Sequence, residues 1–146
     1  MEPIKFRIAK IETLQFAMLP EFYDVPNDNF DYSFDLNFAF PGLEKKLIAC
    51  SCLVKYEGKS SPFLILEVGM LFEVENESWE RIIGQDQFVL PKETAYHMLS
   101  LMVGAARGIL HSETKNTDFN RLILPSINLT KVIDSDIVQP FDTKGN

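Results

Sequence analysis

The sequence predicts an α+β fold: a four-stranded antiparallel sheet followed by one long helix packed on it. Three observations lead there. Phe30, Tyr32, Phe34, Leu36, Phe38 and Phe40 alternate with Asp31, Ser33, Asp35, Asn37 and Ala39. That strict period of two specifies a strand with one buried and one wet face. Three further strand-like segments flank it, joined by short turns, which implies an antiparallel meander or a Greek key. Behind them, residues 94–106 read TAYHMLSLMVGAA, without a formal charge and at helical spacing.

Residues 4–19 read as the first strand, with an irregularity near Glu12. Ile4, Phe6 and Ile8 share one face, and Leu14, Phe16 and Met18 resume an alternation further on. Residues 20–29 carry Pro20, Pro26, Asn27 and Asp28 and form a loop. After the Phe-rich strand, Pro41-Gly42 turns the chain. The third strand spans residues 47–56, with Ile48, Cys50, Cys52, Val54 and Tyr56 on one face. Residues 57–62 connect it to a fourth strand over 63–75, apolar on both faces until Glu67 and Glu73. From 76 to 87 the pattern breaks, and Trp79, Ile82, Ile83 and Phe88 suggest a loop that packs down.

Pro91 suits the first turn of a helix, with Glu93 following it. The helix runs over 92–111, roughly 30 Å at 1.5 Å per residue. A polar stretch over 112–120 ends it, and residues 121–125 are extended. The expected organisation is a single domain over 1–138 and a flexible acidic tail over 139–146. No internal repeat or low-complexity segment interrupts it.

The 146 residues are 46% hydrophobic and 24% charged, enough to bury a core. The net charge of -7 repels phosphate backbones and anionic lipid heads, so the expected partners exclude nucleic acid and membrane surfaces. Basic partner proteins stay open. The N-terminus alternates charged and apolar residues and lacks the continuous apolar run of a signal peptide. No stretch reaches the ~18 apolar residues of a membrane span. Cytoplasmic location is the expectation.

Residues suited to catalysis are few. His97 and His111 lie on one helix about four turns apart and cannot share a metal. Glu93 and His97 are one turn apart and could pair, although an exposed polar pair is the plainer reading. Cys50 and Cys52 point to the same face of a strand and are too closely tethered for an ordinary disulfide. They read as core residues. No Gly-rich phosphate loop, nucleophile elbow or paired metal motif is present. The expectation is no enzyme, no cofactor and no metal.

The helix carries more. Ala95, Met98, Leu99, Met102, Ala106 and Ile109 form one apolar stripe that can cover a sheet. The opposite side carries Ser100, Gly104 and Gly108, flanked by Leu101 and Ala105, where charge is the usual rule. A glycine inside a helix costs about 1 kcal/mol relative to Ala, so two of them need a reason. Cover by the chain's own loops, 76–90 and 112–124, is one. A subunit contact at Ser100, Gly104 and Gly108 is the favoured one.

Four strands, a long helix and a closing Leu124-Pro125-Ser126-Ile127-Asn128-Leu129, in that order, resemble the SecB-type export chaperones and their relatives. Leu90-Pro91 matches the family's helix start, Met102-Val103-Gly104-Ala105-Ala106-Arg107-Gly108 its Met-Val-x-Arg-Gly-like helix segment, and Leu64-Ile65-Leu66-Glu67-Val68 its apolar-Glu-Val strand. Nearly the whole chain is covered. The interval from Glu67-Val68 to Phe72 is shorter than the family's, and residues 112–121 make a longer connection. After Leu129 only residues 130–137 are available where the family has a second helix.

The resemblance implies a homodimer or homotetramer that holds unfolded or extended polypeptides in apolar grooves without ATP. Phe and Met suit such contact. The expected groove draws on Phe30, Phe40, Trp79, Phe88, Met98, Leu101 and Phe119, with Trp79 read first as a pin for its loop. Two other readings stand beside this one. The fold could serve one dedicated protein partner, as in antitoxin-associated or phage-encoded proteins, or the space between sheet and helix could hold a small molecule or an active site.

Overall fold

The computed structural model describes residues 2–23, 30–58 and 61–141. Four strands form the main sheet: β1 (Phe6–Met18), β2 (Asp31–Ala39), β3 (Leu47–Glu57) and β4 (Pro62–Val74). Their order is β1-β4-β3-β2, all antiparallel. Strands β2, β3 and β4 follow one another as hairpins and β4 closes beside β1, which is a Greek key. Of the two connectivities the sequence left open, the plain meander is therefore excluded.

Register explains the burial. Cys50 lies between Phe38 and Met70, Cys52 between Leu36 and Val68, and Val54 between Phe34 and Leu66. Paired residues share a face, so the alternation on each strand adds to one continuous apolar surface. The irregularity expected near Glu12 is two register shifts in β1, between Ile8 and Lys10 and between Thr13 and Gln15.

The loop expected over 76–87 is in part a short helix, α1 (Asn76–Ile82). Trp79 and Ile82 fall one turn apart and both are buried. The Trp79 Nε1–H donates to the Leu43 carbonyl at 2.7 Å, and the Lys5 amide donates to Ser78 Oγ at 2.9 Å. Strand β5 (Gln87–Leu90) then leads to Pro91 and the long helix α2 (Lys92–Glu113). Helix α2 lays Ala95, Met98, Leu99, Met102, Val103, Ala106 and Leu110 on the sheet. Val103 and Leu110 widen the expected stripe, while Ile109 is only half-buried at its border. Thr114 closes the helix, its hydroxyl donating to the Leu110 carbonyl at 2.7 Å.

Beyond α2, residues 122–128 run extended over the core, with Leu122 and Leu124 buried. Arg107 holds this segment, Nε donating to the Leu124 carbonyl at 2.8 Å and Nη2 to the Pro125 carbonyl at 3.0 Å. One turn of helix, α3 (Leu129–Val132), follows, capped by Asn128 through the Thr130 amide at 3.1 Å. The tail departs from expectation. Residues 137–140 form β6 (Ile137–Pro140), which pairs antiparallel with β5. Phe141 sets its ring edge-on to Phe88 at 4.9 Å. The expected domain boundary at 138/139 therefore falls inside a paired strand, because β5 offers backbone donors and acceptors and Phe88 an apolar seat. Residues 142–146 lie outside the described residues.

Candidate functional site

The aromatic and apolar residues expected to line a groove fall into two packed clusters and a helix face. Phe40 stacks on Phe88 at 4.6 Å and 6°, and Trp79 tilts against Phe88 at 5.6 Å. All three are at least nine-tenths buried. Phe119 stacks on Tyr23 at 4.7 Å, and Tyr23 stacks in turn on Phe63. Met98 is fully buried between α2 and the sheet. Phe40, Trp79, Phe88, Met98 and Phe119 thus belong to the core, where each gains more from apolar burial and ring contact than an open position provides. Phe30 and Leu101 remain accessible. Phe30 sits just ahead of β2, edge-on to Tyr56 and Phe63, and is 36% exposed.

A different apolar surface emerges along β1. Register places Phe6, Ile8, Ile11, Phe16 and Met18 on the same side as Val74, Phe72, Met70, Leu66 and Leu64, the side that faces α2. Helix α2 lies over β3 and β4, and so leaves the β1 side partly uncovered. Ile8 is 40% and Ile11 50% exposed. Among the described residues the outer edge of β1 has no neighbour in the sheet order, so its backbone groups on that edge are open to pairing.

The wall opposite β1 is α2. His97 meets the Phe6 ring at 5.1 Å, and Leu101 follows one turn on. Together with Pro3, Ile4 and Ile8 they line a groove of about 460 Å³. The same helix carries Ser100, Gly104 and Gly108, all exposed. Apart from the glycine, its chain neighbours and the adjacent helix backbone, no described atom lies within 4 Å of where a Cβ would stand at Gly104 or Gly108. Neither loop 76–90 nor loop 112–124 covers them there, and among the described residues the glycines do not serve internal close packing. Ser100 Oγ turns back to donate to the His97 carbonyl at 2.8 Å.

Sequence reasoning missed Ile8 and Ile11 as surface residues. Their signal was the alternation of β1 itself, which reads equally as core until the strand order puts β1 at an edge.

The titratable groups in the core are held neutral. Burial, with Cys52 beside it, pushes the Cys50 thiol up to about 12, and burial pushes Cys52 up to about 11. A thiol so protonated is a poor nucleophile and a poor metal ligand. Tyr56 is likewise pushed up to about 12 by burial and by Tyr32, against the lowering effect of Arg107. Among the described residues its buried hydroxyl has no hydrogen-bond partner. Among the described residues no three His, Cys, Asp or Glu side chains come together as metal ligands, and no helix is long and apolar enough to cross a membrane.

No family model matches the chain, and no curated protein matches it. Among solved structures it is similar to a SecB-like chaperone of Mycobacterium tuberculosis in complex with a ChAD peptide from an antitoxin. The identity is 13% and the TM-score 0.49, over 84% of this chain and 91% of that one. It is also similar to a protein of unknown function from Streptococcus agalactiae, at 11% identity and a TM-score of 0.41, over 86% of this chain and 100% of the other.

Proposed function

We propose that this protein is an ATP-independent chaperone or adaptor that binds unfolded or extended polypeptides, and that it works as a homodimer or homotetramer. The observation that supports this most is the groove shared by Ile8 on the edge strand and Leu101 on α2, with Ile11 exposed on the same strand and Gly104 and Gly108 exposed on the same helix. Clustered exposed apolar side chains beside an unpaired strand edge mark an interaction surface. An edge that offers backbone hydrogen bonds recognises extended chain without reading its sequence closely, which suits a holdase. The glycine side of α2, with Ser100, Gly104 and Gly108, serves the contact between subunits in this reading. Leu101 and Phe30 serve the client. No residue is assigned a catalytic role and no cofactor is invoked.

The test is suppression of aggregation of a chemically denatured, slowly refolding client, with binding of an environment-sensitive apolar dye read in parallel. The wild type is expected to slow aggregation at near-stoichiometric ratios. Leu101→Ser and Phe30→Ser, both at accessible positions, should weaken client binding while leaving the circular dichroism unchanged. A wild type that neither binds the client nor slows its aggregation refutes the holdase reading and leaves a single dedicated protein partner in its place.

A further inference from the structure

The two strands of the small sheet are unequally buried. Phe88 and Leu90 on β5 are 2% and 0% exposed. Their partners on β6, Gln139 and Ile137, are only half-buried, and Val138 and Pro140 are exposed. Among the described residues β6 has a single neighbour in the sheet order, β5. A two-stranded pair this short is marginal in water by itself. Beyond the ladder, the Phe141 ring rests on Phe88 and the Phe141 amide donates to the Asp86 carbonyl at 3.0 Å. Asp136 Oδ1 accepts from the Lys92 amide at 2.9 Å. The exposed Asp134 and Ser135 join this segment to Ile133, which is buried. Strand β5 has support of its own. Ile83 bridges to Phe88, the Gly84 amide donates to the Gln87 carbonyl at 2.8 Å, and the Phe88 ring touches both Phe40 and Trp79.

We infer that residues 134–141 are a releasable strap, hinged at Asp134-Ser135, which occupies a strand-addition site on β5 in competition with an external strand of the same pattern. Release costs the strap little, because most of its side chains already face solvent, and it leaves β5 in place. What it uncovers is the free edge of β5 and the buried ring of Phe88. The segment that sits there defines the chemistry of a competitor: Ile137-Val138-Gln139-Pro140-Phe141 is extended, uncharged and ends in an aromatic ring. Backbone pairing to an open edge, with alternate side chains seated, is how added strands are recognised. A strand tethered through two residues faces its site at an effective concentration of roughly millimolar. The closed form therefore dominates, and only an external strand that outbids this tether enters. The strap thus sets a threshold at a site away from the groove between β1 and α2, and it stands without the client-binding reading.

The experiment uses the full chain. Hydrogen exchange of the wild type should show the amides of 137–141 opening about tenfold or more faster than those of β3 and β4, since a local release needs no global unfolding. Val89 and Val138 lie directly opposite each other, so the double variant Val89→Cys, Val138→Cys can lock the strap with a cross-strand disulfide. The native Cys50 and Cys52 are buried and stay out of that reaction. A labelled, blocked peptide with the sequence of residues 136–141 is the probe, read by fluorescence anisotropy. Phe141→Ala, which weakens the tethered strand, should bind this peptide about fivefold tighter than the wild type does. Oxidation of the cysteine pair should abolish peptide binding and slow exchange over 137–141, and reduction should restore both. A strap that exchanges no faster than β3 and β4, a peptide that does not prefer Phe141→Ala, or one that binds the oxidised pair as well as the wild type overturns the inference. If the double variant does not fold, wild-type exchange and the comparison with Phe141→Ala decide it. A chain that passes these tests but slows no client aggregation loses the holdase reading and keeps the strap.

Discussion

Replacement of Gly104 by Leu moves subunit stability and assembly in opposite directions, which makes it the sharpest test of the helix surface. Position 104 is exposed in mid-helix, and apart from its chain neighbours and the adjacent helix backbone no described atom lies within 4 Å of where its Cβ would stand. The isolated subunit can therefore take a side chain there without strain. A glycine in a helix interior is about 0.8–1.0 kcal/mol worse than Ala, and Leu ranks close to Ala. The monomer should thus gain roughly 0.8 kcal/mol, about 2–3 °C in Tm for a chain of this size. In an assembly that uses the glycine as a seat for a neighbouring backbone, the same side chain blocks the contact. Light scattering coupled to size exclusion at micromolar concentration should give a wild-type mass that is a multiple of 16.7 kDa and a variant near 16.7 kDa itself. Thermal melts should agree: the wild-type Tm rises with protein concentration, since association stabilises by mass action, and the variant Tm does not. A wild type that is monomeric at micromolar concentration, or a Gly104→Leu variant that assembles as the wild type does, refutes the reasoning.

Phe141→Ala removes the ring that packs edge-on to Phe88 and should cost about 1–2 kcal/mol in denaturant unfolding; a neutral result would mean the tail does not dock in solution. Trp79→Phe keeps the apolar packing but leaves the Leu43 carbonyl without its donor, for an expected loss of about 1–3 kcal/mol. Tyr56→Phe deletes a buried hydroxyl that has no partner among the described residues, so stability should hold or rise by up to about 1 kcal/mol, and a clear loss would reveal a partner for that oxygen. Cys50, Cys52 and Tyr56 all have raised folded-state values, about 12, 11 and 12 against ordinary values of 9.0, 9.0 and 10.0. Their neutral forms are favoured by the fold, so stability is fully present below pH 9 and falls as pH rises through 9–12. A flat stability profile from pH 8 to 11 contradicts this, as does fast labelling of either thiol at pH 8 in the native protein.

The amino-acid sequence by itself determined the faces. Period two in β2 and β3 and period 3.6 in α2 fix which side chains point together, because side-chain direction follows from backbone geometry alone. Ile48, Cys50, Cys52, Val54 and Tyr56 are buried as that rule requires, and α2 turns its apolar stripe to the sheet. Tertiary structure decided which faces meet. Nothing in the alternation of β1 states that it lies at an edge, yet that position alone leaves Ile8 and Ile11 at the surface. The aromatic residues of irregular segments show the same limit. Trp79, Phe88 and Phe119 carry no period in the sequence, so only their contacts reveal that they hold segments to the core rather than face a groove. Strand β6 was hidden for a related reason. Its four residues pair with β5 across a long loop closure, and so short a segment acquires strand character from its partner rather than from its own composition.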